Sequence, residues 1–161
     1  MATPTNLPAS FSSGAVLTAA QMNDLRGAFR ILQVVGADYA TFNASTTTTM
    51  ADTGVTATIT PQSTSSKILV VYSMDMFTSA GGTSVSIRLM RNATQLDLIV
   101  DMCFGSNSGN LNHSTATYLD SPATTSALTY KTQFSRGVGA GTAYVQPNNN
   151  RSSILLLEVS A

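Results

Sequence analysis

From Ile31 onward, apolar and polar residues alternate with a period of two, and Gly, Pro, Asn and Asp interrupt the alternation at intervals. That period puts successive side chains on opposite faces of a strand. Ile31–Tyr39 reads as a first strand. Asn43–Thr53 reads as a polar loop or poorly paired edge, with Gly54 as the turn residue that closes it. Val55, Ala57 and Ile59 then alternate with Thr56, Thr58 and Thr60, and Pro61 ends that strand. Lys67–Phe77 is a long strand with Ile68, Val70, Tyr72, Met74 and Met76 on one face, and Gly81-Gly82 signals a hairpin after it. Val85, Ile87 and Leu89 alternate with Ser84, Ser86 and Arg88, and Asn92-Ala93 turns the chain.

The next segment sets Leu96, Leu98, Val100, Met102 and Phe104 against Asp97, Ile99, Asp101 and Cys103. Paired with its predecessor, it predicts two antiparallel strands with one wet face. A weaker strand at 112–119 leads to the turn Asp120-Ser121-Pro122. Leu128, Tyr130, Thr132 and Phe134 alternate next, and Gly137–Gly141 reads as a flexible hairpin loop. Ala143–Gln146 and Ser153–Val159 close the chain as strands. About eight or nine strands with no helix between them predict an all-β fold, an antiparallel β-sandwich of jelly-roll type.

The last strand breaks the rule. Ile154-Leu155-Leu156-Leu157 is apolar on both faces. One face enters the core; Leu155, Leu157 and Val159 need a second covering. The N-terminal helix of the same chain, a neighbouring subunit or a covering loop is expected to supply it, and these three residues are candidate subunit contacts.

Ahead of Ile31 the pattern differs. Residues 1–12 carry Pro4 and Pro8 and read as an extended arm. Thr18 and Gln21 form a capping box, in which each side chain satisfies the other's free backbone N–H. The predicted helix ends near Gly27. So short a helix is marginal alone and must dock on something. Phe11, Val16, Leu17, Met22, Leu25 and Phe29 are the candidate docking residues. The expected organisation is an arm and docking helix over 1–30 and a sandwich domain over 31–161.

Composition sharpens this picture in one respect. Only 10% of the 161 residues are charged, against about 25% in an ordinary soluble domain. Ser, Thr and Asn fill the surface positions instead. The formal net charge is +0, which argues against nucleic acid and anionic membrane as partners. Low charge of this kind favours self-association. The start, Met1-Ala2-Thr3-Pro4, has neither the basic nor the apolar run of a signal peptide, so cytosolic synthesis is expected.

Candidate chemistry is sparse. Cys103 is the only cysteine and His113 the only histidine, so neither a disulfide nor a His/Cys metal cluster can form within one chain. His113 reads as a structural or exposed residue. Asp97 and Asp101 share one side of a strand, roughly 13 Å apart at ~3.3 Å per residue. That is too far for a glycosidase pair; Asp75 is the residue that could approach one of them. Gly137, Gly139 and Gly141 lack the Lys-Ser/Thr and helix of a phosphate loop. No residue pattern requires a cofactor, and no catalytic residue is assigned.

The run Phe11-Ser-Ser-Gly-Ala-Val-Leu-Thr-Ala-Ala-Gln-Met-Asn23 resembles a segment near the N-termini of tailed-bacteriophage structural proteins. The β region looks like the β-sandwich heads of phage fibres and capsid decoration proteins. Its Thr60-Pro61, Ser63–Val70, Arg91-Asn92, Tyr118–Pro122 and Ser153–Glu158 carry that likeness. The resemblance implies a homotrimer in the virion, attached through its arm to a major capsid or tail protein. Two expectations follow: an exterior decoration (cement) or head-fibre protein, or a tail fibre whose loops contact a host protein or surface glycan. A carbohydrate-active enzyme on a jelly roll is the third reading, and it finds no acid pair, no aromatic platform evident in sequence and no Trp.

Overall fold

The computed structural model describes residues 31–160. The predicted arm and helix, with Phe11, Val16, Leu17, Met22, Leu25 and Phe29, lie outside the described residues. Among the described residues, ten strands occur in the order β1 (Ile31–Tyr39), β2 (Asn43–Ser45), β3 (Ala51–Ile59), β4 (Lys67–Thr78), β5 (Thr83–Arg91), β6 (Thr94–Gly105), β7 (Asn110–Asp120), β8 (Leu128–Arg136), β9 (Ala143–Val145) and β10 (Ser152–Val159).

The pairing is a nested set. β5 pairs β6, β4 pairs β7, β3 pairs β8 and β1 pairs β10, all antiparallel. This is one long hairpin of eight strands. Wrapping it brings β10 beside β4 and β8 beside β5. The nested pairs then fall alternately into two sheets, β1-β10-β4-β7 (sheet A) and β3-β8-β5-β6 (sheet B). That wrapped hairpin is a jelly roll. The short strands β9 and β2 extend sheet A beyond the end of β10.

The core follows the period of two. Ile68, Val70, Tyr72, Met74 and Met76 of β4, with Ile154 and Leu156 of β10, face Val85, Ile87, Leu89, Tyr130 and Phe134 of sheet B; all are buried. Each such side chain contributes about 1.5–3 kcal/mol on leaving water.

Four expectations need correction. Gly54 does not precede β3 but lies inside it, with φ +88°. The register with β8 shifts between Asp52 and Thr56, which marks a bulge. A Cβ at Gly54 would collide with the Tyr39 ring, so only glycine fits this bulge. Thr53 is buried beside it and accepts the Val55 N–H at 3.1 Å. So Ala51–Thr53 belong to the strand, and Asn43–Ser45 are a strand too.

Gly81-Gly82 and Gly137–Gly141 are not hairpins. Each carries the chain from one sheet to the other. The second is pinned to β5: the Val138 N–H donates to Ser84 Oγ at 2.8 Å and the Gly141 N–H to Thr83 Oγ1 at 3.0 Å.

The largest correction concerns β6. Leu96 and Met102 pack on the core as expected, but Leu98, Val100 and Phe104 are exposed, whereas Cys103 is buried and Ile99 packs on the core. Cross-strand partners share a face. Val85 and Ile87 point inward, and their partners Cys103 and Ile99 must follow. The register shift between these pairs, with Asp101 at φ +53°, absorbs the surplus residues. Asp97 and Asp101 therefore do not form a pair. Asp101 accepts the Ser84 hydroxyl, and Asp75 lies in the other sheet.

Glu158 ties three segments together. Its carboxylate accepts Gln33 Nε2 at 2.6 Å and the Gln62 N–H at 2.7 Å. Burial pushes this carboxyl up, but the hydrogen bonds led by Gln33 outweigh it and hold it below the usual glutamate value. A carboxyl depressed in the folded state adds stability above its unfolded value, about 4.3. That stability is lost as pH falls through the folded value. Glu158→Gln is expected to flatten this acid limb of the stability–pH curve, as read by urea titrations between about pH 2 and 6. An unchanged slope would show that Glu158 is not a major source of it.

Candidate functional site: the outer face of sheet A

The strand registers lay out this face row by row. Ile31, Val159 and Lys67 form the first row; Val34, Leu157, Leu69 and Leu119 the second; Gly36, Leu155, Val71 and Thr117 the third. The second row is apolar across four strands; the first ends in Lys67 and the third in Thr117. Ile31 (58%), Val34 (55%) and Leu119 (54%) are exposed, and Leu155 is 38% exposed. Leu157 and Val159 are half-buried. Leu155 leans over Gly36, where an added Cβ would meet its Cδ1 at 3.2 Å. The three candidate contact residues thus share one face with apolar residues of β1, β4 and β7. The sequence pattern had offered only the last strand, because partners on distant strands cannot be read without the register.

A polar band follows. Asp38, Ser153, Ser73 and Thr115 make one row, and Asp75 pairs with His113 beyond it. His113 Nε2 lies 2.6 Å from Ser73 Oγ, and its Nδ1 lies 3.5 Å from Asp75 Oδ1. The order of atoms is that of a serine-hydrolase triad. The setting differs. Ser73 lies in mid-strand with β10 on one side and β7 on the other, so the backbone there is committed to ladders. Among the described residues, the ladders to β10 and β7 occupy the backbone beside Ser73 that an oxyanion would need free. Its hydroxyl is also shared with Thr115 Oγ1 at 3.0 Å, and Asp75 accepts Asn150 Nδ2 at 2.8 Å. The cluster is a hydrogen-bonded surface row. Among the described residues, no group of three His, Cys, Asp or Glu side chains gathers as a metal site.

The far end of the face is aromatic. Phe77 on β4 pairs Tyr144 on β9, and Leu111 on β7 lies on its other side. Phe42, just before β2, stacks on Tyr144 at 5.3 Å between ring centroids, and Phe77 stacks on it at 5.5 Å. These three rings, with Leu111, Pro147 and Asn148, line a cleft of about 350 Å³. Asn148 and Asn149 hold positive φ values of 57° and 58°, as does Gln146 at 51°. No aromatic platform was evident in the sequence, since the rings come from three separated segments. The Phe77–Tyr144 contact depends on β9 continuing sheet A past β10.

No protein-family model and no curated protein matches the chain. Two solved structures share a similar course of the backbone. One is the VP2 subviral particle of infectious bursal disease virus, at 11% identity and a TM-score of 0.45, over 79% of this chain and 39% of that one. The other is the Gx strain of infectious bursal disease virus, at 13% identity and 0.42, over 80% and 36%. The chain thus spans less than two fifths of either. At such scores the likeness adds nothing to what the strand order already gives.

Proposed function

We propose that this protein is a structural component of a virus particle, mounted on its exterior as a decoration (cement) or head-fibre protein. The observation that supports it is the outer face of sheet A. The jelly roll already has its core between the sheets, yet four strands present a second apolar surface that water disfavours. A domain that associates with protein has a use for such a face. In this reading Leu155, Leu157 and Val159 contact a neighbouring subunit in a trimer. Phe11, Val16, Leu17, Met22, Leu25 and Phe29 seat the chain on a capsid or tail protein. The resemblance of residues 11–23 to tailed-phage proteins makes a phage particle the first to try.

A chain beginning at Ile31 keeps every strand of the jelly roll. Such a chain is expected to stay folded and soluble but to lose binding to particles stripped of the protein, measured by co-sedimentation. Binding at the full chain's occupancy would remove the tether from the reading. A receptor-binding head at the tip of a tail fibre is the second reading, and the aromatic cleft favours it.

A further inference from the structure

We propose that the aromatic cleft binds a neutral saccharide, presented on the side of the domain away from its attachment; the orientation rests on the reading of residues 1–30 as the tether. The residues ahead of Ile31 join the domain at the row of Lys67. The cleft lies at the row of Phe77, ten residues along β4, or roughly 33 Å at ~3.3 Å per residue. A domain held by its N-terminal end turns this cleft outward.

The lining selects the ligand. None of Phe42, Phe77, Leu111, Tyr144, Pro147 and Asn148 carries a charge. A phosphate, sulfate or carboxylate would find no cation on these walls, and an ammonium group no carboxylate. The ring surfaces accept apolar C–H faces. Asn148 also lines the cleft; its side-chain amide makes no hydrogen bond with the described residues, and the residue is exposed. An amide donates and accepts at once, as vicinal hydroxyls require. A purely hydrocarbon ligand would leave this amide unused; a pyranose, with its C–H face and its rim of hydroxyls, uses both surfaces. The volume equals that of about a dozen waters at ~30 Å³ each, room for one or two sugar rings. Asn148, which lines the cleft, holds a positive φ, as do Gln146 and Asn149 in the same turn, and such conformations cluster at ligand sites.

The test is saturation-transfer NMR on the full-length protein. The probes are methyl glycosides of glucose, galactose and N-acetylglucosamine, with sialic acid and a proline-rich peptide as contrasts. At least one neutral glycoside should bind. Phe42→Ala and Leu111→Glu should each weaken it at least about five-fold, and both sites are half exposed (49% and 55%), so neither change removes a core residue. Circular dichroism and the melting temperature confirm that each variant is folded. Binding of no neutral glycoside, binding unchanged in both variants, or binding of only sialic acid or the peptide would overturn the proposal. Particle binding is not measured here, so the tether reading stands or falls separately.

Discussion

Replacing Asp120 by alanine is expected to destabilise the domain by about 3 kcal/mol, the lower end of the range for breaking a buried pair. Asp120 ends β7 in sheet A, and only 6% of it is exposed. Both its oxygens accept Arg91 Nη1, at 2.8 and 2.7 Å, and Oδ2 also accepts the Tyr130 hydroxyl at 2.6 Å. Arg91 and Tyr130 are cross-strand partners in sheet B. The carboxylate therefore clamps the two sheets together at the end of the sandwich where residue 31 enters. Its removal strands a fully buried phenol and a guanidinium whose side chain is 23% exposed. That residual exposure is why the lower end of the range applies. Burial, and next the bond to Asp120, push the Tyr130 hydroxyl well above the usual tyrosine value, so it stays a donor at any ordinary pH. Tyr130→Phe removes one hydrogen bond and should cost less, about 1–1.5 kcal/mol. Urea denaturation reads both as a fall in midpoint with an unchanged slope. A loss below about 1 kcal/mol for Asp120→Ala would mean that water replaces the carboxylate. Against a total of about 5–15 kcal/mol, the expected loss is large.

The same clamp shows what a linear pattern can and cannot carry. Asp120-Ser121-Pro122 reads as the start of a turn; in the structure Asp120 ends β7 and the residues after it carry the chain to the other sheet. Nothing in the sequence says that Asp120 reaches Arg91 and Tyr130, because that contact depends on which strands share a sheet. Periodicity reports faces within one strand, and β4, β5 and β8 follow it. It fails where a second strand sets the register. In β6 the apolar set Leu96, Leu98, Val100, Met102 and Phe104 outnumbers Ile99 and Cys103, yet only Leu96 and Met102 of it pack on the core. The more strongly apolar β5 wins: Val85 and Ile87 hold the inner face, and β6 bulges to comply. Glycine signals fail in a related way. Gly54, Gly81-Gly82 and Gly137–Gly141 each mark an unusual backbone position. Whether that position is a bulge, a hairpin or a passage between sheets depends on pairing alone.

The outer face was half legible for the same reason. Ile154–Leu157 announced that β10 would be apolar on both faces, and its outer side chains do lie on an apolar face. Its outer partners, Leu69, Val34 and Leu119, came from strands whose own patterns gave no such warning. The aromatic cleft was wholly hidden. Phe42, Phe77 and Tyr144 are individually ordinary residues, and only the extension of sheet A by β9 and β2 sets them side by side.

If the chain assembles through this face as proposed, Leu155→Asp together with Leu157→Asp is expected to leave a folded monomer. Both side chains point away from the core. Leu155 is 38% exposed and Leu157 half-buried in the isolated domain, so two carboxylates there stay hydrated and the fold keeps most of its stability. In an assembly the same carboxylates would lie against Val34, Leu69 and the neighbour's apolar surface, with Lys67 as the nearby cation on this face. Burying an unpaired charge costs several kcal/mol. Each 1.4 kcal/mol weakens association about tenfold, so two charges per subunit should lower it by a factor of about a thousand or more. Light scattering reads the mass directly, and thermal melting checks that the domain is intact. Ile154→Asp and Leu156→Asp are the controls, because those side chains are buried between the sheets and their replacement should unfold the domain. A double variant that melts normally and keeps the oligomeric mass would place the subunit contact elsewhere. The exposed Leu98, Val100 and Phe104 of sheet B would then be the next face to charge.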